Sequence, residues 1–283
     1  LNFIKSYTHT SGTVDAGTST VQLATGNTSS QTFVPGATVF NNLILGGYNT
    51  VYTMTGTATA NGTLTFNSYT GSPAASYNSG AIVAKGNVVF STYGALGNVT
   101  LSYEGSTNTT LSLSGSVSKP TGLVTVNKSG GAKVTLLTNY ALSAAGQDLN
   151  VSGGTFDLGG YTLTIPDVIT VGAGATLKCS GGTFSSASVA NSGVINCPGY
   201  SGYDFNWTGA GGNRNWNTAA NWAGGVVPGA SDVPAFQDTH CGANCNAVMN
   251  VNVDVKGLQM LSPYTGTITQ ASGSTITIGS TGW

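Results

Sequence analysis

The chain has 283 residues but only 8 Lys+Arg and 9 Asp+Glu, so 6% of its side chains are charged and the net charge is −1; an average soluble domain carries about 25%. Without a basic excess, nucleic-acid binding by counterion release is disfavoured, and 40% apolar residues argue against charge-driven disorder. No apolar run reaches the ~18–20 residues of a membrane-spanning helix, and the 42 glycines follow no three-residue collagen period.

Strong helix formers are rare, while Thr, Val, Ser, Gly and Asn, which favour strands or break helices, dominate. Short runs alternate apolar residues with Thr or Ser at period two. In chain order they are Leu101-Ser102-Tyr103, Leu111-Ser112-Leu113, Leu123 to Val126, Tyr161 to Ile165 and Thr275 to Ile278. Turns containing Gly or Asn punctuate them, which predicts an all-β chain.

Internal similarity narrows the architecture. Residues 142–156 align without gaps on residues 170–184, an offset of 28, with Ser152 to Phe156 repeated as Ser180 to Phe184. Residues 50–67 resemble residues 109–127 with one residue inserted. Such units cannot bury an apolar face alone and must stack on neighbours. The expectation is a parallel β-helix, or β-solenoid, over residues 1–200. Its inward positions would take Leu, Val, Ile and Phe, its outward ones Thr, Ser and Asn. A Trp-, Gly- and Asn-rich insertion or cap would follow at 201–247, then a terminal β segment at 248–283. A β-sandwich is the alternative.

Four cysteines allow three pairings. Cys179 and Cys197 are separated by nearly the length of one short coil, and Cys241 and Cys245 close a Cys-Gly-Ala-Asn-Cys loop. The local pairing 179–197 with 241–245 is preferred to a zinc site, which would need four convergent ligands. Disulfides point to an oxidising location outside the cytosol. The chain begins at Leu1 without a signal sequence, so any signal peptide is expected to be removed or to lie upstream.

Three tryptophans then follow in close succession, Trp207, Trp216 and Trp222, interleaved with Asn, Gly and Pro. The conservative reading is a compact loop or cap, with each indole N–H needing a partner. The functional reading is a set of aromatic platforms that contact glycans. Arg214, the single arginine, would then lie over an indole as a cation–π pair.

Three stretches carry a resemblance: Tyr7 to Leu23 with Val39 to Leu45, the Ser-Gly-Gly-Thr-Phe repeat with Leu158 to Leu163, and the block Trp207-Thr208-Gly209, Asn215 to Trp222, Pro228, Asp232 and Phe236. Over about half its length the sequence resembles bacterial extracellular and cell-surface β-helix repeat proteins, autotransporter-like or filamentous-adhesin-like. The resemblance implies an extracellular solenoid with a structural or adhesive role and no catalytic residues. This chain is shorter than such proteins usually are, as a subunit or a fragment would be.

Both ends of the chain read as solenoid coil without a polar cap. Open coils pair with other chains, so head-to-tail stacking into a filament is expected. The contacts would be Phe3, Ile4 and Tyr7 at one end and Ile276, Ile278 and Trp283 at the other.

Signals for catalysis are sparse. Asp148, Asp157 and Asp167 recur at spacings that would put them on one solenoid face, as in β-helix polysaccharide-degrading enzymes. Only Lys133 and Lys178 lie near them in sequence to stabilise developing charge. His9 and His240 have no adjacent nucleophile and acid, and Asp238 and Asp254 would suit calcium no better than other acids. Seven Asn-x-Ser/Thr sequons begin at Asn27, Asn61, Asn98, Asn108, Asn127, Asn150 and Asn206. The sequence is therefore expected to specify no enzyme, cofactor, metal site, nucleic-acid partner or membrane span. It points instead to an extracellular or cell-surface protein that self-assembles head to tail into a filament. A carbohydrate-binding adhesin module and a polysaccharide-degrading β-helix enzyme are the alternatives.

Overall fold

The alternating Thr/Val and Ser/Leu runs form strands that lie parallel to one another. The structure is a computed structural model and describes all residues except Ile4, Thr13, Asp15, 24–29, 69–73, 115–116, 198–204, 223–224, Ser231, Ser262 and Trp283. The fold is an all-β parallel solenoid of about 11 turns. A sandwich would join its strands as antiparallel neighbours, so that alternative falls. Helix is confined, among the described residues, to a four-residue α turn, Asp238–Cys241, and a 3₁₀ turn, Ala219–Asn221. The chain forms two compact units: Leu1–Thr170 with Cys179–Ala190, and Val171–Lys178 with Asn191–Trp283.

In the first unit the strands lie on three faces, with the second face interrupted between Ser76–Asn78 and Tyr140–Ala141. The first face runs through Asn2–Phe3, Thr20–Leu23, Asn42–Gly47, Leu64–Ser68, Val88–Thr92, Thr109–Leu113, Lys133–Leu136 and Thr155–Asp157. The second holds Tyr7–Thr8, Ser30–Val34, Val51–Met54 and Ser76–Asn78, and further on Tyr140–Ala141, Thr162–Thr164 and Thr183–Ser185. The third runs from Val39–Phe40 through Thr57–Ala60, Ala81–Ala84, Thr100–Gly105 and Val124–Lys128 to Leu149–Gly153 and Val168–Val171.

Stacking in register sets what each position tolerates. Leu43 sits on Leu64, Phe66 on Phe90, Leu101 on Val124 and Val134 on Phe156. Along Leu64–Ser68 and Thr109–Leu113 every second residue is buried, as the period-two pattern predicts. Inside, like rings stack on like: Tyr52 on Tyr77 at 4.8 Å between centroids, and Phe66 on Phe90 at 4.5 Å. Outside, hydroxyls meet, as Thr162 and Thr183 do. Directly opposed like charges destabilise a sheet, which accounts for the scarcity of charged side chains.

The coil does not have the period of the visible repeats. Its length varies within the first unit, from the short step that places Ala81 on Thr100 to the longer one that places Tyr7 on Phe33. Every one of these steps is shorter than the offset between the repeated segments. Phe156 belongs to a first-face strand and pairs with Val134; Phe184 belongs to a second-face strand and pairs with Leu163. Likewise Val51–Met54 lies on the second face, while its sequence counterpart in Thr109–Leu113 lies on the first. The repeated segments are therefore a reusable corner followed by a strand, set at different corners of the coil.

The corners explain much of the asparagine. Asn42, Asn87, Asn108 and Asn139 each accept, through Oδ1, a backbone N–H one coil further on, from Thr63, Thr110, Lys133 and Thr162, at 2.8–3.0 Å. Asp148 accepts from Val168 in the same way at 3.1 Å. Each bond satisfies a donor where the chain bends out of the ladder. Glycine serves where coils touch: Gly94 has φ +65°, and a Cβ there would collide with the Ser118 carbonyl.

The second unit continues the parallel pattern. Thr176–Lys178 pairs with Val194–Asn196, Ala247–Met249 with Ile268–Gln270, and Val253–Gly257 with Ile276–Gly282. Pro234–Phe236 lies between Phe205–Asn206 and Gln259–Met260. Residues 201–247 are thus not a separate insertion ahead of a terminal segment. Their strands share ladders with residues 248–283, because each strand needs the next coil to complete its hydrogen bonds.

Several polar groups inside the first unit are hydrogen-bonded, as burial demands, although the buried Thr109 hydroxyl has no partner. The Gln147 amide donates to the Pro120 and Gly122 carbonyls at 2.8 and 2.9 Å, and the Tyr77 hydroxyl to the Gly46 carbonyl at 2.7 Å. Lys128 Nζ donates to the Glu104 carbonyl at 2.6 Å and the Lys85 carbonyl at 3.3 Å. Burial lowers its pKa to about 8, against an opposing pull from the Glu104 carboxylate. The unfolded chain keeps this proton to about pH 10.4. Between those values the unfolded state binds more protons, so this group makes stability rise with pH. Burial lowers the Lys119 pKa as well, so urea midpoints at about pH 7.5 and about pH 9.5, below the usual tyrosine pKa, should show an upward slope that Lys128→Met reduces. Equal slopes in the two proteins would refute this role for the ammonium.

Candidate functional site

The chemistry-bearing features of the sequence concentrate in the second unit, where a long loop joins Phe205–Asn206 to Pro234–Phe236. Its three indoles are buried, at 0% exposure for Trp207, 1% for Trp216 and 2% for Trp222. Trp222 meets Trp207 edge-on at 5.0 Å and Trp216 at 4.6 Å, and Phe236 lies within 6.3 Å of all three. The Trp207 indole N–H donates to the Asn244 carbonyl at 3.1 Å, and that of Trp222 to the Trp216 carbonyl at 2.8 Å. The expectation of glycan-contacting platforms is corrected here: these ring faces are occupied by protein. Arg214 is exposed and lies beside a surface depression, not over an indole.

Asn221, at 0% exposure, organises the loop. Its Oδ1 accepts from the Gly211 N–H at 2.8 Å, and its Nδ2 donates to Asn213 Oδ1 at 3.1 Å and to the Asn215 carbonyl at 2.9 Å. Its own carbonyl accepts from the Thr208 and Gly209 N–H groups and the Thr208 hydroxyl. In the sequence this asparagine reads only as spacing between tryptophans. The available signal is its place in Asn221-Trp222: a polar residue beside a buried ring, off any regular strand, must find its partners locally. The strand Ala247–Met249 anchors the loop from the other side, since Val248 accepts from the Trp216 N–H and donates to the Arg214 carbonyl.

Cys241 and Cys245 are joined by a disulfide across the single helical turn, as the spacing predicts. Cys179 and Cys197 are buried and each is disulfide-bonded; the ladder just before them places Leu177 on Ile195, the same step along the chain that separates the two cysteines. No cysteine is free, so a four-cysteine zinc site is excluded. Two disulfides are consistent with a location outside the reducing cytosol. No helix among the described residues is long and apolar enough to cross a membrane.

Asp148, Asp157 and Asp238 have structural partners for their carboxylates. Asp157 ends a first-face strand, whereas Asp148 and Asp167 precede third-face strands, so the three do not share one face. Burial pushes the Asp157 carboxyl up, but hydrogen bonds from Ser180, the Gly159 N–H and Lys133, with the Lys133 charge 3.2 Å away, outweigh it and hold the pKa below its usual value. Both Asp238 oxygens accept from Thr265. His9 bonds Thr38 at a corner of the first unit. His240, Asp254 and Lys178 are exposed. Of the sequons, Asn206 is buried and Asn27 lies outside the described residues.

Of the proposed assembly residues, Phe3, Tyr7, Ile276 and Ile278 lie among the described residues. Phe3 and Tyr7 are half-buried, 4.8 Å apart edge-to-face, and Tyr7 also packs on Phe33 and Phe40. Asn2–Phe3 and Tyr7–Thr8 each stand at the edge of their ladder. In the second unit Gln259–Met260, Ile268–Gln270 and Ile276–Gly282 each have a single strand neighbour among the described residues. Ile276 and Ile278 are half-buried against the Trp cluster. Ile4 and Trp283 lie outside the described residues. Comparison with protein-family models, with curated proteins and with solved structures finds no match to this chain.

Replacing Asn221 by the apolar near-isostere Leu would strip a partner from one donor and two acceptors. It should cost about 3 kcal/mol, read from denaturation followed by tryptophan fluorescence. A loss below about 0.5 kcal/mol, the scale of a surface substitution, would remove Asn221 from its central place.

Proposed function

We propose that this protein is an extracellular structural protein whose coils stack head to tail on further copies to form a filament. One observation carries the reading: among the described residues Gln259–Met260, Ile268–Gln270 and Ile276–Gly282 each have one strand neighbour, and residues 257–283 include no charged side chain. Natural sheet proteins guard such edges with charge, proline or a covering segment. Here Thr269 and Thr277 point outward while Ile276 and Ile278 remain half-covered, so the surface suits in-register addition of another coil. The half-buried Phe3 and Tyr7, beside open edges, offer a matching apolar surface on the first unit. A contact between two different surfaces propagates instead of closing on itself. The disulfides agree with an oxidising, extracellular setting, and the sparse charge agrees with coils laid directly on one another.

Light scattering and negative-stain microscopy of the purified chain should show elongated, concentration-dependent oligomers. The double substitution Thr269→Lys and Thr277→Lys, on outward-facing positions, should weaken association by at least about tenfold (~1.4 kcal/mol) with the fold intact. Monodisperse monomers at high concentration would end the proposal.

A further inference from the structure

The loop pinned by Asn221 forms, with the disulfide loop, an open depression of about 290 Å³ lined by Gly209, Gly212, Asn213, Arg214, Asn244 and Asn246, among others. The volume is at the small end of ligand sites, which run from about 300 Å³ upward, and would hold one sugar ring. Gly209 adopts φ +62°, and a Cβ there would strike the Asn244 carbonyl. The two loops therefore approach more closely than any other residue at this position would allow.

The hydrogen-bond inventory of the rim favours donors. Asn213 Oδ1 accepts from the Asn215 N–H and from Asn221 Nδ2, and Asn246 Oδ1 accepts from the Thr267 N–H. Because a backbone N–H can only donate, these bonds fix which amide atom is oxygen. They also leave each Nδ2 without a partner among the described residues. The Asn244 carbonyl is taken by the Trp207 indole and the Arg214 carbonyl by Val248. Arg214 has no ion-pair partner among the described residues. These acceptors are consumed inside the protein, which leaves the Arg214 guanidinium fork and the Asn213 and Asn246 amide donors around one cavity, beside the exposed Asn244 side-chain amide.

We propose that this depression binds a carboxylate-bearing ligand of monosaccharide size, the carboxylate meeting Arg214 and the Asn213 and Asn246 amides. A single cation matches a single negative charge, and the planar fork matches a planar carboxylate in a bidentate pair. The site is independent of the filament edges. It also differs from the stacking platforms considered from sequence, because it uses the polar rim and not the indole faces.

The test is titration of the intact chain, followed by amide NMR, with glucuronate, glucose and acetate at equal ionic strength. Glucuronate should shift the Gly209, Gly212 and Asn244 amides saturably, and glucose should not. Acetate binding as tightly as glucuronate would support carboxylate recognition and identify a small acid as its source; much weaker acetate binding would identify an acidic sugar. Arg214→Gln should weaken binding at least about tenfold. Asn246→Asp keeps the acceptor for Thr267 but replaces the free donor with a repelling oxygen, and it should abolish binding while the thermal midpoint stays unchanged. Binding of glucose equal to glucuronate, no saturable shift, or unaltered affinity in both folded variants would overturn the proposal.

Discussion

Parallel strands in register bind each ladder residue of this protein to its counterpart one coil away. Backbone hydrogen bonds hold neighbouring rungs about 4.8 Å apart, so whatever a side chain carries is repeated directly above and below. Apolar and aromatic residues gain from that repetition, as the stacked Tyr52–Tyr77 and Phe66–Phe90 pairs do. Hydroxyl and amide side chains tolerate it because they both donate and accept. Charges do not tolerate it, and the 6% charged composition follows from this constraint. The corners are the complementary problem, since bending leaves backbone donors outside the ladder. Asparagine recurs there because its oxygen reaches the next coil without bringing charge.

Where the rungs are interrupted, a different device takes over. The loop after Phe205–Asn206 has no continuous ladder, and its backbone is organised by one buried side chain, Asn221, surrounded by tryptophans. The indoles exclude water, which makes each bond of that amide harder to replace. The arrangement fixes Asn213 and positions Arg214 through Val248. The polar rim of the neighbouring depression is thus a consequence of how the loop is held together. Residues 257–283 follow a third logic: they carry no charged side chain, and among the described residues their strands each have a single strand neighbour.

Much of this is legible in the sequence. Period-two alternation, glycine at corners and self-similar segments identify an all-β solenoid, and the Cys241–Cys245 spacing predicts its disulfide. The repeats mislead on the coil length, because Ser-Gly-Gly-Thr-Phe marks a kind of corner and the same corner can be used at any bend. The Trp block leaves two readings open, a compact loop with partnered indoles and a set of exposed platforms, and the buried rings agree with the first: sequence shows that large aromatics are present but not which side of them is covered. The spacing of the three aspartates suggests one face, yet coils of unequal length shift the phase from one turn to the next.

The sequence by itself determined the strand type, the aversion to charge and the need to stack, because these follow from local periodicity and composition. Only the tertiary structure decided which residues lie one coil apart, that Asn221 is the centre of its loop, and which amide atoms remain free around Arg214. Those outcomes depend on contacts between segments far apart in the chain, and coil lengths that vary from turn to turn leave no fixed period from which to read them.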